Sequence, residues 1–281
     1  MLRAVRDTLI DLKANRPAGL GARLHPRALV FVHVPKCGGS SVERALRRAR
    51  PLGRRLIDPN GTFRAAAALL GADPDDDERR HEVLTRASEL RRDLLHLHLA
   101  EGARLVTGHA PLGPRTLDAF PHADAVTVMR SPRARLRSHL AFNAGARAGH
   151  GRSDMTVARF LDTPRARVMG ALYVKYLSGL PMDADLTTQV AVDAARRTVD
   201  RLALVGFTEE MDAFAARLAA LAGVRLRVGH ENRGEGGPAL PDALADRIHA
   251  LCAPDDQVYA HARALFGDRR HAVRPDAARA R

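Results

Sequence analysis

Short apolar runs alternate along this chain with stretches in which apolar residues recur every three or four positions. The run LVFVHVP at 29–35 is rich in valine and ends in proline, which is typical of a buried strand. Three further runs predict strands at 103–109, 123–130 and 202–207. Strands that alternate with helices imply a mostly parallel sheet covered on both faces, so we expect an α/β fold.

Helix signals follow these strands. After the first strand and a glycine loop, apolar residues recur at helical spacing over 42–49. Ser131 and Pro132 suit the N-cap and the first position of another helix. Further along, Thr208 is a candidate cap and Gly223 a candidate C-terminal stop.

Other segments are less regular. LLHLHLA at 94–100 fits either a strand or a helix, and VRLRVGH at 224–230 predicts one more strand. Residues 155–201 predict helices with a break at SGLP. ENRGEGG at 231–237 predicts a loop, after which we expect two helices.

The length of 281 residues fits a single core with added helices. We expect an N-terminal lead-in at 1–27, one domain at 28–268 and a basic tail at 269–281. The predicted fold class is a P-loop-type three-layer α/β fold, with a mostly parallel central sheet flanked by helices. In such sheets ligands bind beyond the carboxyl ends of the strands.

The formal net charge of +13 suits an anionic ligand, although a chain rich in arginine and alanine also fits coding bias. Two cysteines, Cys37 and Cys252, cannot form a disulfide framework, which fits a reducing compartment. Charges interrupt the N-terminal apolar residues, and no segment has the length and apolarity of a membrane span. We therefore expect a cytoplasmic protein, at most peripheral to a membrane.

The loop after the first strand, VPKCGGSS at 34–41, has the composition of an anion-binding site. Its glycines let backbone N–H groups turn inward, and the following helix aims its positive N-terminus at the same point. Lys36 adds a full charge, and Ser40 and Ser41 add hydroxyl donors. The order differs from a Walker A motif because Lys36 precedes the glycines. A tight turn without a ligand is the alternative interpretation.

The wording FVHVPKCGGSS resembles the 5′-phosphosulfate loop of sulfotransferases that act on carbohydrates, the heparan-sulfate uronosyl 2-O-sulfotransferase-like group and its bacterial relatives. The usual sequence of this loop in the family is Pro-Lys-Thr-Gly-Gly-Thr-Ser, and this chain differs from it at Cys37 and Ser40. The resemblance implies transfer of a sulfuryl group from 3′-phosphoadenosine 5′-phosphosulfate (PAPS) to a carbohydrate or glycolipid hydroxyl, without a metal. The donor-binding loop residues that it implies are Lys36, Cys37, Gly38, Gly39, Ser40 and Ser41.

The resemblance also implies the rest of the donor site and a base. In the family an arginine at a strand end and a serine on the next helix hold the 3′-phosphate, and Arg130 and Ser138 match them. The family's catalytic histidine lies in a Gly-His pair, which His109 matches. Such a histidine can titrate near neutral pH and act as a base. Lys36 is the second implied catalytic residue, beside the leaving phosphate.

Other residues near these motifs carry separate expectations. We expect His33 to be a buried hydrogen-bonding residue. His96 and His98 have the spacing of a metal pair on a strand, but further ligands are not evident in the sequence. The arginines expected to face solvent or a glycan are Arg133, Arg135 and Arg137.

The segment 171–181 resembles a family segment that reads Asn-x-Gln-x-Arg followed by Leu-Ser-Gly. Leu-Ser-Gly is retained, whereas Ala171, Tyr173 and Lys175 replace the other three residues. If this segment touches the acceptor, its specificity has diverged.

Two other classes of function remain open from the sequence. A P-loop kinase shares the fold, but the chain lacks a Walker A motif and a clear apolar strand that ends in aspartate. A non-catalytic binder of polyanions would suit the charge alone. We expect a nucleotide donor and a hydroxyl acceptor as partners and no nucleic acid, because the chain is poor in stacking aromatics.

Overall fold

The computed structural model describes residues 27–74, 76, 78–145, 155–229 and 242–267. The strands are β1 (Ala28–Val32), β2 (Arg54–Ile57), β3 (Leu105–Gly108), β4 (Ala123–Met129) and β5 (Leu204–Phe207). The helices are α1 (Gly39–Ala49), α2 (Pro59–Leu70), α3 (Arg80–Ala100), α4 (Pro114–Ala119), α5 (Pro132–Gly145), α6 (Val157–Leu161), α7 (Pro164–Gly170), α8 (Leu172–Leu177), α9 (Gln189–Val199), α10 (Met211–Ala222) and α11 (Asp242–Phe266).

The strands form one sheet in the order β2-β3-β1-β4-β5, and each neighbouring pair is parallel. All five residues of the central strand β1 are buried, as expected when helices cover both faces of a parallel sheet. The predicted α/β fold class is confirmed. The carboxyl ends of β3, β1 and β4 consequently lie side by side, so the chain that follows each strand meets its neighbours at one edge.

The sequence did not predict strand β2. Its four residues, RRLI, contain only two apolar side chains, and the strand lies at the edge of the sheet with Arg54 and Leu56 exposed. An edge strand of this kind carries little apolar signal. The run 103–109 therefore holds the third strand of the chain and not the second.

Several local predictions need correction. The ambiguous segment 94–100 is the last part of helix α3, and the described residues 224–229 are irregular instead of forming a strand. The two expected C-terminal helices are one helix, α11, with Pro254 inside it. Thr208 begins a short 3₁₀ turn and does not cap α10, whereas Gly223 ends that helix at φ 63° as predicted.

A buried ion pair fixes four helices to one another. The side chains of Arg135 on α5 and Asp255 on α11 are fully buried and 3.0 Å apart. Asp255 also accepts the backbone N–H groups of Tyr173 and Val174 on α8, and Arg135 donates to two carbonyl oxygens of α7. The expectation that Arg135 faces solvent is therefore wrong, because the carboxylate of Asp255, which is 120 residues away in the sequence, neutralises its charge in the core. Arg133 and Arg137 are exposed as expected.

Parts of the sequence prediction lie outside the described residues. These are most of the lead-in, the ENRGEGG loop and the tail at 269–281. Within the described part, no helix combines the length and the apolarity needed to cross a membrane.

Candidate functional site

The loop that follows β1 has the backbone of an anion cradle. Lys36 at φ 66° and Gly38 at φ 71° both adopt the left-handed region, which is unusual for a lysine and marks a constrained turn. Helix α1 begins at Gly39, without a side-chain cap and without an acidic residue in its first turn. The first N–H groups of α1 and its positive end therefore remain available to an anion.

Gly39 is required by close packing, whereas the left-handed backbone of the turn lies at Gly38. A Cβ atom on Gly39 would lie 2.5 Å from the ring of His33, closer than packing allows. His33 is buried, and its Nδ1 lies 2.7 Å from the carboxylate of Glu43 on α1, so the expected buried hydrogen-bonding role of His33 is confirmed. Gly39 therefore lets helix α1 approach the imidazole of His33, and Glu43 of the same helix orients that imidazole.

Cys37 points away from the cradle and into the core. Its side chain is fully buried, and its Sγ lies 3.4 Å from the hydroxyl of Tyr173 on α8. Burial raises the pKa of the Cys37 thiol to about 11, so the side chain is a neutral packing group. A bound anion could meet the backbone N–H of this residue but not its thiol.

The same Tyr173 hydroxyl reaches the second motif. It accepts a hydrogen bond from the backbone nitrogen of Arg130 at 2.7 Å and donates one to the carbonyl oxygen of Arg130. One buried tyrosine thus connects the loop after β1 to the end of β4. Ser138 is half-buried on α5, and within the described residues no hydrogen bond joins it to Arg130 or to the loop.

His109 lies directly after β3, next to the loop. Its ring centroid is 4.3 Å from that of His33, and its Nδ1 is hydrogen-bonded to the backbone carbonyl oxygen of His33. A carbonyl oxygen only accepts, so Nδ1 carries the proton and Nε2 is free to accept one. Burial, with the charges of His33 and Arg91, lowers the pKa of His109 to about 3, which keeps the imidazole neutral at physiological pH.

Lys36 is held at the mouth of the cradle by an aromatic ring. Its ammonium nitrogen lies 3.2 Å from the ring centroid of Phe142 on α5, a cation–π contact with a side chain that is 53% exposed. Burial lowers the pKa of Lys36 to about 8. Burial together with Arg165 and Lys36 likewise lowers the pKa of the neighbouring His139 to about 3. The surroundings of Lys36 therefore favour an anion over any further cation.

A basic cavity adjoins the first turns of α1. Its volume is about 200 Å³. It is lined by Ser41, Arg44, Ala45, Arg48, Arg227, Val228 and Gly229. Ser40 is exposed and Ser41 is half-buried, so both hydroxyls lie on the open side of the helix. Positive charge consequently extends from the loop along α1.

The two-histidine metal pair is not formed. His96 and His98 lie on helix α3 and not on a strand, so a spacing of two residues turns them to different sides. His96 contacts the hydroxyl of Thr116 at 2.8 Å, and His98 lies 3.5 Å from Glu101. Within the described ranges, no group of three histidine, cysteine or acidic residues could hold a metal ion.

The retained Leu-Ser-Gly segment has a packing role. Gly179 adopts φ 69°, and a Cβ atom on Gly113 would lie 2.3 Å from the Cα atom of Gly179. The backbone of Leu112 donates to the carbonyl oxygen of Tyr176 at 2.7 Å. Helix α8 is thereby fastened against the chain that follows His109.

Sequence reasoning did not assign roles to four residues near the site, because their surroundings depend on the tertiary structure. The residues are Glu43, Phe142, Tyr173 and Lys175. Only the last two gave a signal, because they replace residues of the resembling family. Glu43 and Phe142 are ordinary helix-surface residues until the fold brings them to His33 and Lys36.

Similarity between this chain and known proteins is found among solved structures. No family model matches the chain. No curated protein matches it. The chain is similar to the crystal structure of a sulfotransferase from Alicyclobacillus acidocaldarius, at 15% sequence identity and a TM-score of 0.45. The match covers 86% of this chain and 96% of that one. Function therefore has to follow from the residues of the site.

Proposed function

We propose that this protein is a sulfotransferase that moves a sulfuryl group from PAPS to an acceptor hydroxyl. The observation that carries the proposal is the arrangement of three adjacent strand ends, with His109 after β3, the loop 34–41 after β1 and Arg130 after β4. Sulfuryl transfer needs a base, a cradle for the 5′-phosphosulfate and a site for the 3′-phosphate. The resemblance of the loop to a 5′-phosphosulfate loop supports the same assignment.

The loop and Lys36 would hold the reacting end of the donor. The acceptor oxygen attacks the sulfur in line with the bond to the 5′-phosphate oxygen. The new O–S bond forms as the old S–O bond breaks, and 3′-phosphoadenosine 5′-phosphate (PAP) leaves with the electron pair. Lys36 and the first N–H groups of α1 would stabilise the charge that grows on the leaving phosphate.

His109 would take the proton of the acceptor hydroxyl on Nε2. That nitrogen is unprotonated because Nδ1 donates to the carbonyl oxygen of His33. The pKa of about 3 belongs to a site without an anion beside it. A negatively charged phosphosulfate next to the ring favours the imidazolium form and raises this pKa, which makes His109 a stronger base when the donor is bound.

The 3′-phosphate would bind at Arg130, with Ser138 as a second donor from α5. A guanidinium group matches phosphate oxygens with two parallel hydrogen bonds. From the resemblance of these motifs to carbohydrate sulfotransferases, we further propose a carbohydrate or glycolipid acceptor. Of the residues that depart from the family segment at 171–175, Tyr173 is buried against Arg130 and Cys37, so it does not itself select the acceptor.

The deciding experiment compares two nucleotides by calorimetry. PAP should bind well and adenosine 5′-phosphate more weakly, because the loss of a charge-assisted 3′-phosphate contact costs roughly 1.5–3 kcal/mol. An acceptor screen with labelled PAPS then tests transfer. Equal affinity for the two nucleotides would remove the basis for the Arg130 site.

The two alternatives predict different results in the same assays. A kinase would bind ATP with Mg²⁺, and its activity would be lost in EDTA and restored by Mg²⁺. Sulfuryl transfer should persist in EDTA. A non-catalytic polyanion binder would bind PAP no better than other compounds of equal charge, with steep salt dependence.

A further inference from the structure

A carboxylate–histidine pair at the candidate site has no part in the reaction described above. Nδ1 of His33, directly after β1, lies 2.7 Å from one carboxylate oxygen of Glu43 on α1. The other carboxylate oxygen is 4.0 Å from Arg47, too far for a hydrogen bond, so His33 is the near partner. A carboxylate accepts hydrogen bonds, so Nδ1 carries a proton. The bond fixes the orientation of the ring, and with it the direction in which Nε2 points.

The imidazole of His33 spans the first turn of α1. Glu43 contacts its Nδ1, and Gly39, four residues earlier on the same face of the helix, lies against its opposite edge. A Cβ atom on Gly39 would come within 2.8 Å of Nε2. The ring therefore runs along α1 from Glu43 towards the N-terminus of the helix, with Nε2 at the N-terminal end.

Nε2 of His33 is a buried polar atom at the end of α1 that is open to an anion. His33 is 8% exposed, and none of the described residues forms a hydrogen bond with its Nε2. Helix α1 begins at Gly39 without a side-chain cap, so the N–H groups of its first turn lie at the same end. Burial of a polar atom without a partner costs free energy, and a ligand at the helix end would supply the partner.

The ligand expected at this helix end decides the protonation of Nε2. Phosphate and sulfate oxygens act as hydrogen-bond acceptors, so an unprotonated Nε2 would repel them. A protonated Nε2 would instead donate a charge-assisted hydrogen bond to the anion. The carboxylate of Glu43 would then be the counter-charge of the imidazolium ring of His33.

His109 has the opposite surroundings although the two rings are neighbours. Their centroids are 4.3 Å apart, and Nδ1 of His109 donates to a neutral carbonyl oxygen instead of a carboxylate. Burial is the largest cause that lowers the pKa of His109 to about 3. Two adjacent titratable groups in contrasting surroundings are suited to different protonation states, one as a proton donor and the other as a proton acceptor.

We propose that the Nε2–H group of His33 donates a hydrogen bond to the 5′-phosphosulfate of the donor, and that Glu43 is the positioning residue that orients the ring and balances its charge. This proposal rests on the proposed sulfotransferase function. Within that function His33 serves the donor beside Lys36, whereas His109 takes the proton of the acceptor. The 5′-phosphate remains in PAP after transfer, so PAP binding reports the contact.

Calorimetry with PAP and adenosine 3′-phosphate isolates the contact, because these nucleotides differ only in the 5′-phosphate. His33→Asn keeps an amide near the position of Nδ1 but has no atom at the position of Nε2. This variant should bind PAP roughly tenfold or more weakly, the loss of one charge-assisted hydrogen bond, and adenosine 3′-phosphate like the wild type. If the ring only stabilises the fold, both affinities change by the same factor or neither changes, which would overturn the proposal.

His261→Asn is the matched control. Nε2 of His261 on α11 lies 2.7 Å from the carboxylate of Asp200, an exposed pair of the same chemistry that is not at the start of a helix. This variant should bind both nucleotides like the wild type. A loss of PAP affinity equal to that of His33→Asn would show that the effect does not come from a contact at the loop, and would overturn the proposal.

Nitrogen NMR of the wild-type complex with PAP tests the same contact without a variant. The ring signals of His33, assigned through bonds from its backbone, should show both nitrogens protonated. Glu43→Gln keeps a hydrogen-bond acceptor without the charge, and should weaken PAP binding but not adenosine 3′-phosphate binding. An unprotonated Nε2 in the wild-type complex would overturn the role of His33 alone. Failure of the wild type to bind PAP would instead refute the proposed function itself.

Discussion

The side-chain hydroxyl of Tyr173 accepts a hydrogen bond from the backbone nitrogen of Arg130 at 2.7 Å and donates one to the carbonyl oxygen of that residue. The same hydroxyl contacts Sγ of Cys37 at 3.4 Å. Asp255 accepts the backbone N–H of Tyr173, so the tyrosine is anchored in the core. Two loops that would grip opposite ends of one nucleotide are thus connected through a single buried oxygen atom.

Tyr173→Phe should weaken the discrimination between PAP and adenosine 5′-phosphate. Without the hydroxyl, the buried N–H of Arg130 loses its partner, at a cost of about 1–3 kcal/mol, and the end of β4 is no longer fastened to the loop. Calorimetry should show a larger loss of affinity for PAP than for adenosine 5′-phosphate. Cys37→Ser, which keeps a polar partner for Tyr173, is the matched control. Unchanged selectivity in Tyr173→Phe would show that the hydroxyl only stabilises the core.

His109→Ala should reduce transfer by about 10²–10⁴-fold while PAP affinity stays near the wild-type value. In the proposed mechanism the loop and Arg130 hold the nucleotide without the imidazole, and only proton removal needs it. The measurement pairs calorimetry with transfer from labelled PAPS, and the exposed His122→Ala serves as control. Near-normal turnover would move the base elsewhere, with His33 as the next candidate. Loss of PAP binding would make His109 a structural residue.

PAP affinity should fall as the pH rises above about 8. Burial lowers the pKa of Lys36 to about 8, so its ammonium group is charged below that pH and loses its proton above it. Calorimetry from below to above the pKa of Lys36 measures the effect. Lys36→Arg keeps its charge over this range and should give a nearly flat profile. The same fall in both proteins would mean that another group titrates.

Arg135→Met should lower the free energy of unfolding by about 3–5 kcal/mol, because it leaves Asp255 buried without its partner. Burial already raises the pKa of Asp255 to about 6, and losing Arg135 raises it further. When folding raises the pKa of a carboxyl group, the folded protein becomes less stable as the pH rises and the group ionises. The loss of stability caused by Arg135→Met should therefore be larger above the pKa of Asp255 than below it. Urea denaturation measures it, with the exposed Arg133→Met expected to change stability by less than about 0.5 kcal/mol.

The sequence alone determined the elements that carry the chemistry. The runs at 29–35, 103–109 and 123–130 are apolar because central strands of a parallel sheet are buried on both faces. Each run ends at the polar residues of a loop, so the apolar pattern by itself identifies the candidate residues as strand-end residues. Strand β2 gave no such signal, since an edge strand need not be apolar.

Only the tertiary structure decided which charges are buried and what each one meets. Arg135 reads as one of several surface arginines until Asp255, 120 residues away, reaches it in the core. The same carboxylate accepts a backbone N–H of α8. Asp255 directly follows Pro254, which lies inside the single helix α11 although a proline removes one hydrogen bond from a helix. Lys175 and Tyr173 stood out only as departures from a family pattern. The local sequence determines helix and strand periodicity and turn geometry. The electrostatic surroundings of a buried side chain depend instead on residues from helices that are far apart in the sequence.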